Sequence, residues 1–278
     1  MTLKSAKELD ELGVKIVIGP VFNENLIYLD ELSGLTFLSL TNKNNNNSRN
    51  IINAGINATS QLNAIKKFIE LNEIKKTIFL TPDVNYKNEI DQAISNSKIK
   101  LIENYIYNID PTILTRQIEK ITNYERRRKN LEDEIKRLEN SNENNKEKLI
   151  EKLKKKDTIG SVKFDSIIIA DFDESLKSIT TSLLYTDISP KDKYFITLNQ
   201  WFDESLLKEK SSQPMYFPSI NKENYENFSL EYFEKYKQYP NQLSFLSFDL
   251  VGLVYYLILE NKSIINEKIF TKKTLFKG

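Results

Sequence analysis

Ile167-Ile168-Ile169-Ala170-Asp171-Phe172-Asp173 is followed by Leu176, Ile179 and Leu183. The first four residues are apolar without interruption. A half-exposed strand would alternate, so this run predicts a strand covered on both faces, as in a parallel sheet flanked by helices. The acidic residues end the run, and apolar residues then return at helical spacing.

The same pattern recurs along the chain. Val14 to Ile18 stops at Gly19-Pro20, and Leu26, Leu29 and Leu32 follow. Leu35 to Leu40 predicts the next strand, and 42–49 reads as an Asn-rich loop. Ile51-Ile52 opens a short strand, and Leu62, Ile65, Phe68 and Ile69 predict a helix that Thr59 or Ser60 would cap. Thr77 to Leu80 is closed by Thr81-Pro82-Asp83 and followed by Ile90 and Ile94. Ile99 to Tyr107 reads as extended, with Pro111 in the first turn of the next helix. Tyr194 to Leu198 is a further strand. Two late helices carry Phe228, Tyr232, Phe233 and Tyr236, then Leu250, Leu253, Val254, Leu257 and Ile258.

Strands alternating with helices predict an α/β fold of parallel sheets joined by crossover helices. The strands form two groups, so the chain reads as two lobes. Residues 1–56 with 217–262 make lobe 1, residues 57–216 make lobe 2, and 263–278 form a tail. Residues 119–157 are expected to insert a charged helical hairpin into lobe 2. Leu131, Ile135 and Leu138, then Leu149 and Leu153, recur at three- and four-residue steps on either side of Ser141-Asn142-Glu143-Asn144-Asn145. That spacing predicts an antiparallel, coiled-coil-like pair. Its runs Glu125-Arg126-Arg127-Arg128-Lys129 and Lys152-Leu153-Lys154-Lys155-Lys156 read first as a solvated face and second as a docking arm.

Composition narrows the function. Lys+Arg number 40 and Asp+Glu 39, for a net charge of +1, so no global field calls for nucleic acid. The chain has no His and no Cys. A Ser-His-Asp triad, a thiol nucleophile and a His/Cys zinc site are therefore excluded. Neither G-x-x-x-x-G-K-[ST] nor G-x-G-x-x-G occurs, and no cofactor is expected. No run reads as the ~20 apolar residues of a membrane span.

Ligands of open parallel sheets bind at the carboxyl ends of strands. The segments at those ends are 19–22, 39–42, 57–60, 83–86, 171–173 and 199–201, with Phe248-Asp249 opening the last strong helix. Each has a plainer reading as a turn, a helix cap or core. Asp171, Asp173 and Glu174 are also close enough in sequence to suggest a carboxylate cluster, so a carboxylate-dependent hydrolase stands as an alternative.

Leu12 to Phe22 resembles the Gly-Pro-ending strand of type I periplasmic binding proteins. Other blocks fall in that superfamily's order: Phe37 to Asn42, Asn53-Ala54-Gly55-Ile56, Thr77 to Pro82, Phe164 to Asp171 and Leu246 to Leu253. Within the superfamily the chain is similar to penicillin-binding protein activator lipoproteins and to leucine-binding-protein-like ABC substrate-binding proteins. The resemblance implies a hinged two-lobed fold in the periplasm or cell envelope, without catalytic residues. It places ligand contacts at Asn23, Thr41, Thr59, Tyr86, Phe172 and Asn199.

Two functions follow as expectations. The first is a non-catalytic envelope protein that contacts a penicillin-binding protein and regulates peptidoglycan synthesis. The second is the substrate-binding component of an ABC importer for amino acids or similar small polar solutes. Superfamily members also begin with a signal sequence, a lipid-bearing cysteine, and a first strand and helix. Residues 1–278 contain none of these, so lobe 1 is expected to lack its first strand. Asn23 stands where amino-acid receptors usually carry serine.

Overall fold

The computed structural model describes residues 2–43, 48–198, 208–209, 212–261 and 267–270. The chain divides into two compact units, Met1–Asn57 with Ile220–Gly278, and Ala58–Ser219.

The second unit is built on a sheet of five parallel strands: β4 (Thr77–Pro82), β5 (Glu103–Tyr107), β6 (Ser166–Ile169), β7 (Tyr194–Thr197) and β8 (Met215–Tyr216), in the order β5-β4-β6-β7-β8. Thr77 pairs with Ser166 and Ile78 with Glu103, so β4 lies between β5 and β6. The unbroken apolar run explains the layering. Ile167 and Ile169 share one buried cluster with Leu114 and Ile118 of α4 (Pro111–Ile121) and with Leu176, Ile179 and Leu183 of α7 (Asp173–Tyr185). Ile168 and Ala170 share the other with Leu62, Ile65 and Ile69 of α2 (Ala58–Leu71) and with Ile90 and Ala93 of α3 (Lys87–Ser97). Successive side chains point to opposite faces, so one continuous run serves two cores. Each fully buried isoleucine contributes roughly 1.5–3 kcal/mol.

β5 departs from the predicted extended run. It begins at Glu103, and Ile99 and Leu101 pack into the second cluster before the strand starts. It is also the edge strand, with Glu103, Asn104 and Ile106 exposed. α4 follows as read: Asp110 accepts from the backbone N–H of Thr112 (2.9 Å) and Ile113 (3.3 Å), and Pro111 takes the first turn.

The hairpin region forms α5 (Tyr124–Glu139) and α6 (Lys146–Leu153), which pack on each other. The contact is one-sided. Leu131 and Leu138 are buried, whereas α6 buries no residue and Leu149 is exposed, so the two-sided coiled-coil seam is not formed. Nor is the charge run uniformly solvated, because Arg127 is only 6% exposed. Its guanidinium donates to the carbonyl of Thr186 (2.9 Å), to Thr158 Oγ1 (2.6 Å) and to the carbonyl of Asp187 (3.3 Å). The Asp187 carboxylate lies 3.7 Å away. This one side chain pins the base of the hairpin to the turn after α7.

The first unit has β1 (Ile16–Ile18), β2 (Thr36–Ser39) and β3 (Ile51–Asn53), all parallel, in the order β1-β2-β3. Its core gathers Leu29, Leu35 and Phe37 with Ala6 of α1 (Thr2–Glu11). Gly55 sits tightly against the chain just after β2: a Cβ there would collide with the carbonyl oxygen of Thr41. Two long helices follow in the same unit, α8 (Lys222–Tyr236) and α9 (Gln242–Asn261), and then a 3-10 turn at Glu267–Phe270. Within α9, Leu243–Glu260 is long and apolar enough, by length and composition, to cross a membrane, and 17% of that window is buried. This corrects the expectation that no run approaches the length of a membrane span, and the helix starts at Gln242, ahead of Phe248-Asp249.

Candidate functional site

In the second unit the chain winds from β4 out to β5, then returns past β4 to β6, β7 and β8. The order reverses between β4 and β6. In open parallel sheets the crevice for a ligand lies outside the carboxyl ends of strands at such a reversal. Tyr86 follows β4, Tyr107 ends β5, and Asp171 follows β6, so three neighbouring strands deliver their side chains to that point.

Asp171 is the centre of the cluster and is 4% exposed. Tyr107, itself buried, donates its hydroxyl to Asp171 Oδ2 at 2.5 Å. Tyr86 donates to Asp171 Oδ1 at 3.4 Å and lies 3.5 Å from the carbonyl of Ala170. The backbone N–H of Phe172 donates to Oδ1 at 2.9 Å. Asp171 thus organises this corner and is not the cap of α7. Phe172 occupies the N-cap position without a side-chain cap bond. Asp173 opens the helix at φ 49°, the left-handed region that disfavours side-chain-bearing residues. Strained backbone of this kind gathers at binding sites.

The electrostatics follow from burial. Desolvation raises the Asp171 pKa above the usual carboxylate range; the hydrogen bonds from Tyr107, Phe172 and Tyr86 oppose it, and the Asp173 carboxylate adds to it. Burial and the neighbouring Asp171 charge raise both Tyr107 and Tyr86, so each hydroxyl stays protonated and acts as a donor. The exposed part of the site is aromatic. The rings of Tyr86 and Phe172 meet edge to face at 6.2 Å, and Phe172 is 37% exposed. A buried acid beneath an aromatic shelf suits a small molecule with an apolar body and a hydrogen-bond-donating or cationic end.

The six expected contacts separate. Tyr86 and Phe172 are brought together here. Thr59 lies inside the first turn of α2, which starts at Ala58, so it does not cap that helix; its hydroxyl is buried without a hydrogen-bond partner among the described residues. Asn23 and Thr41 belong to the first unit, beyond β1 and β2. Asn23 is exposed in the short 3-10 turn Asn23–Leu26. Thr41 is buried, and its hydroxyl accepts from the N–H of Lys43 at 3.2 Å. Asn199 lies outside the described residues, as does Trp201. Tyr107 is not among the expected contacts, because the extended run from Ile99 ends on it and no strand-end segment includes it. A tyrosine at a strand's carboxyl end was the available signal. Of the acidic group suggested for a hydrolase, Asp171 accepts from two tyrosines, and among the described residues no three His, Cys, Asp or Glu group to hold a metal.

No protein-family model and no curated protein matches the chain. Solved structures do. A branched chain amino acid ABC transporter periplasmic ligand-binding protein from Burkholderia xenovorans LB400 is similar at TM-score 0.60 and 10% identity, over 97% of this chain and 67% of that one. An ABC transporter substrate-binding protein from Desulfitobacterium hafniense is similar at TM-score 0.57 and 14% identity, over 97% of this chain and 71% of that one. Full-length LpoA from Haemophilus influenzae overlaps 71% of this chain and 30% of its own length at TM-score 0.44, too slight a likeness to carry weight. The fold is that of the two-lobed type I periplasmic binding proteins.

Proposed function

We propose that the chain is a non-catalytic solute receptor, the substrate-binding component of an ABC importer, acting outside the cytoplasmic membrane. The observation that carries this reading is the buried Asp171 held by Tyr107 and Tyr86 where the strand order reverses. Its ligand is a small amine with an apolar side chain, such as a neutral amino acid. The apolar part lies on Tyr86 and Phe172, and the amine is drawn to the acid beneath. The likeness to importer components supports the class, and the branched-chain name of one of them is in keeping with the ligand. Thr59, in the same unit, remains a secondary contact of the same proposal. Regulation of peptidoglycan synthesis through a penicillin-binding protein rests on the charged hairpin alone and is the lesser reading.

Isothermal titration with leucine, isoleucine and valine tests it. Saturable binding is expected, weakened at least tenfold by Phe172→Ala and by Tyr86→Ala in chains that still unfold cooperatively. A ligand at about 100 times its Kd should add roughly 2.7 kcal/mol of stability. No heat and no stabilisation with any neutral amino acid or small amine would refute the proposal.

A further inference from the structure

α9 is apolar all round, a character that normally goes with burial. Yet Phe248 is 59% exposed, Val251 57%, Tyr255 65% and Leu259 59%. Their spacing of three and four residues puts all four on one stripe, roughly 16 Å long at 1.5 Å per residue. Phe245, Leu250 and Leu257 are buried, and the last two lie on the opposite side of the helix. The stripe extends onto α8. Phe228 packs on Phe248 at 5.0 Å between ring centroids, Tyr232 on Phe228 at 5.7 Å, and the exposed Tyr236 on Tyr232 at 4.6 Å.

We propose that this stripe is the interface between two copies of the chain, packed antiparallel about a two-fold axis near residue 253. Three observations favour a second copy. A large side chain exposes about 200 Å² in full, so Tyr236 and the four stripe residues present roughly 600 Å². That is the upper end of what a monomer leaves uncovered and about three quarters of one partner's share of a standard interface. The stripe is also self-complementary: in that register Phe248 meets the partner's Leu259, and Val251 meets the partner's Tyr255, a large ring against a smaller aliphatic group at each level. Lastly, α9 carries no Lys or Arg and holds Asp249 and Glu260. Helices that lie on anionic lipid pair an apolar face with basic residues, and a central aspartate costs about 2.5–3.5 kcal/mol in a bilayer.

Sedimentation of the full chain, read with and without anionic vesicles, tests the proposal. The expected result is a species of twice 32.5 kDa at micromolar concentration, weakened at least tenfold by Val251→Glu or Tyr255→Glu with unchanged circular dichroism. The chain has no native cysteine, so the double variant Val251→Cys, Tyr255→Cys should form a covalent dimer on mild oxidation. A wild-type monomer at tens of micromolar overturns the proposal. So does a dimer that survives both glutamate variants, or a monomer that co-sediments with vesicles.

Discussion

Arg127→Met removes the pin at the base of the hairpin while keeping an apolar stem of similar length. Three charge-assisted hydrogen bonds disappear: those to the carbonyls of Thr186 and Asp187 and to Thr158 Oγ1. Each contributes about 1.5–3 kcal/mol net. Two offsets reduce the sum. Arg127 Nε is buried without a hydrogen-bond partner among the described residues, and removing it relieves about 1–3 kcal/mol. The Asp187 side chain is 43% exposed, so that end of the site regains water. The expected loss is therefore about 3 kcal/mol, within the range seen when one partner of a buried ion pair is deleted. For a unit of this size that lowers Tm by roughly 6–12 °C. Arg127→Lys keeps the charge but not the planar fork that reaches three acceptors at once, and should lose about 2 kcal/mol. Urea unfolding followed by circular dichroism measures both. A loss under about 1 kcal/mol for Arg127→Met would show that the hairpin does not depend on this residue.

Four further outcomes are expected. Ile168→Ala, at a fully buried position, should cost about 2–5 kcal/mol in urea unfolding. Gly55→Ala drives a Cβ into the Thr41 carbonyl; it should lower stability and speed amide exchange around residues 40–43. Asp171 governs a pH dependence whose sign is fixed by burial. Its folded pKa is raised above the unfolded value, so the native state binds the proton more tightly; its contribution to stability is full below the usual carboxylate range and is lost as pH rises through the raised value. Asp171→Asn should flatten that part of the stability–pH curve, and an unaltered curve would contradict the assignment. Tyr107→Phe deletes a donor that pulls the Asp171 pKa down; carboxyl NMR should show that pKa moving further up.

The sheets were legible in the sequence because their strands are unbroken apolar runs. Ile167 to Ala170 reads as a strand buried on both faces, and Gly19-Pro20 and Pro82 stand at strand ends. The edge was less legible. β5 is mostly exposed, with only Tyr107 buried, and Ile99 and Leu101 are apolar because they pack into the core before the strand begins, so residue type alone ran the strand four residues too early. Arg127 looked like its neighbours Arg126 and Arg128, since helical rotation decides which of three consecutive arginines faces inward. In the proposed site, Tyr86 and Phe172 lie in segments that follow strands, 83–86 and 171–173, where a ligand contact is expected. Tyr107 needed the strand order, because its partner Asp171 lies 64 residues away, across an intervening strand.

The fixed hairpin base has a practical consequence. The turn at residues 140–145 joins two helices that hold no ligand-facing residue of the proposed site, and the pin at Arg127 sits far along α5 from that turn. Exposed turns of this kind accept insertions. A dye, affinity tag or whole reporter domain spliced there would ride on a tethered stalk without reshaping the binding corner. The same mechanical isolation makes it a poor location for a fluorescent transducer of ligand occupancy; for that, a probe belongs on the Tyr86–Phe172 shelf.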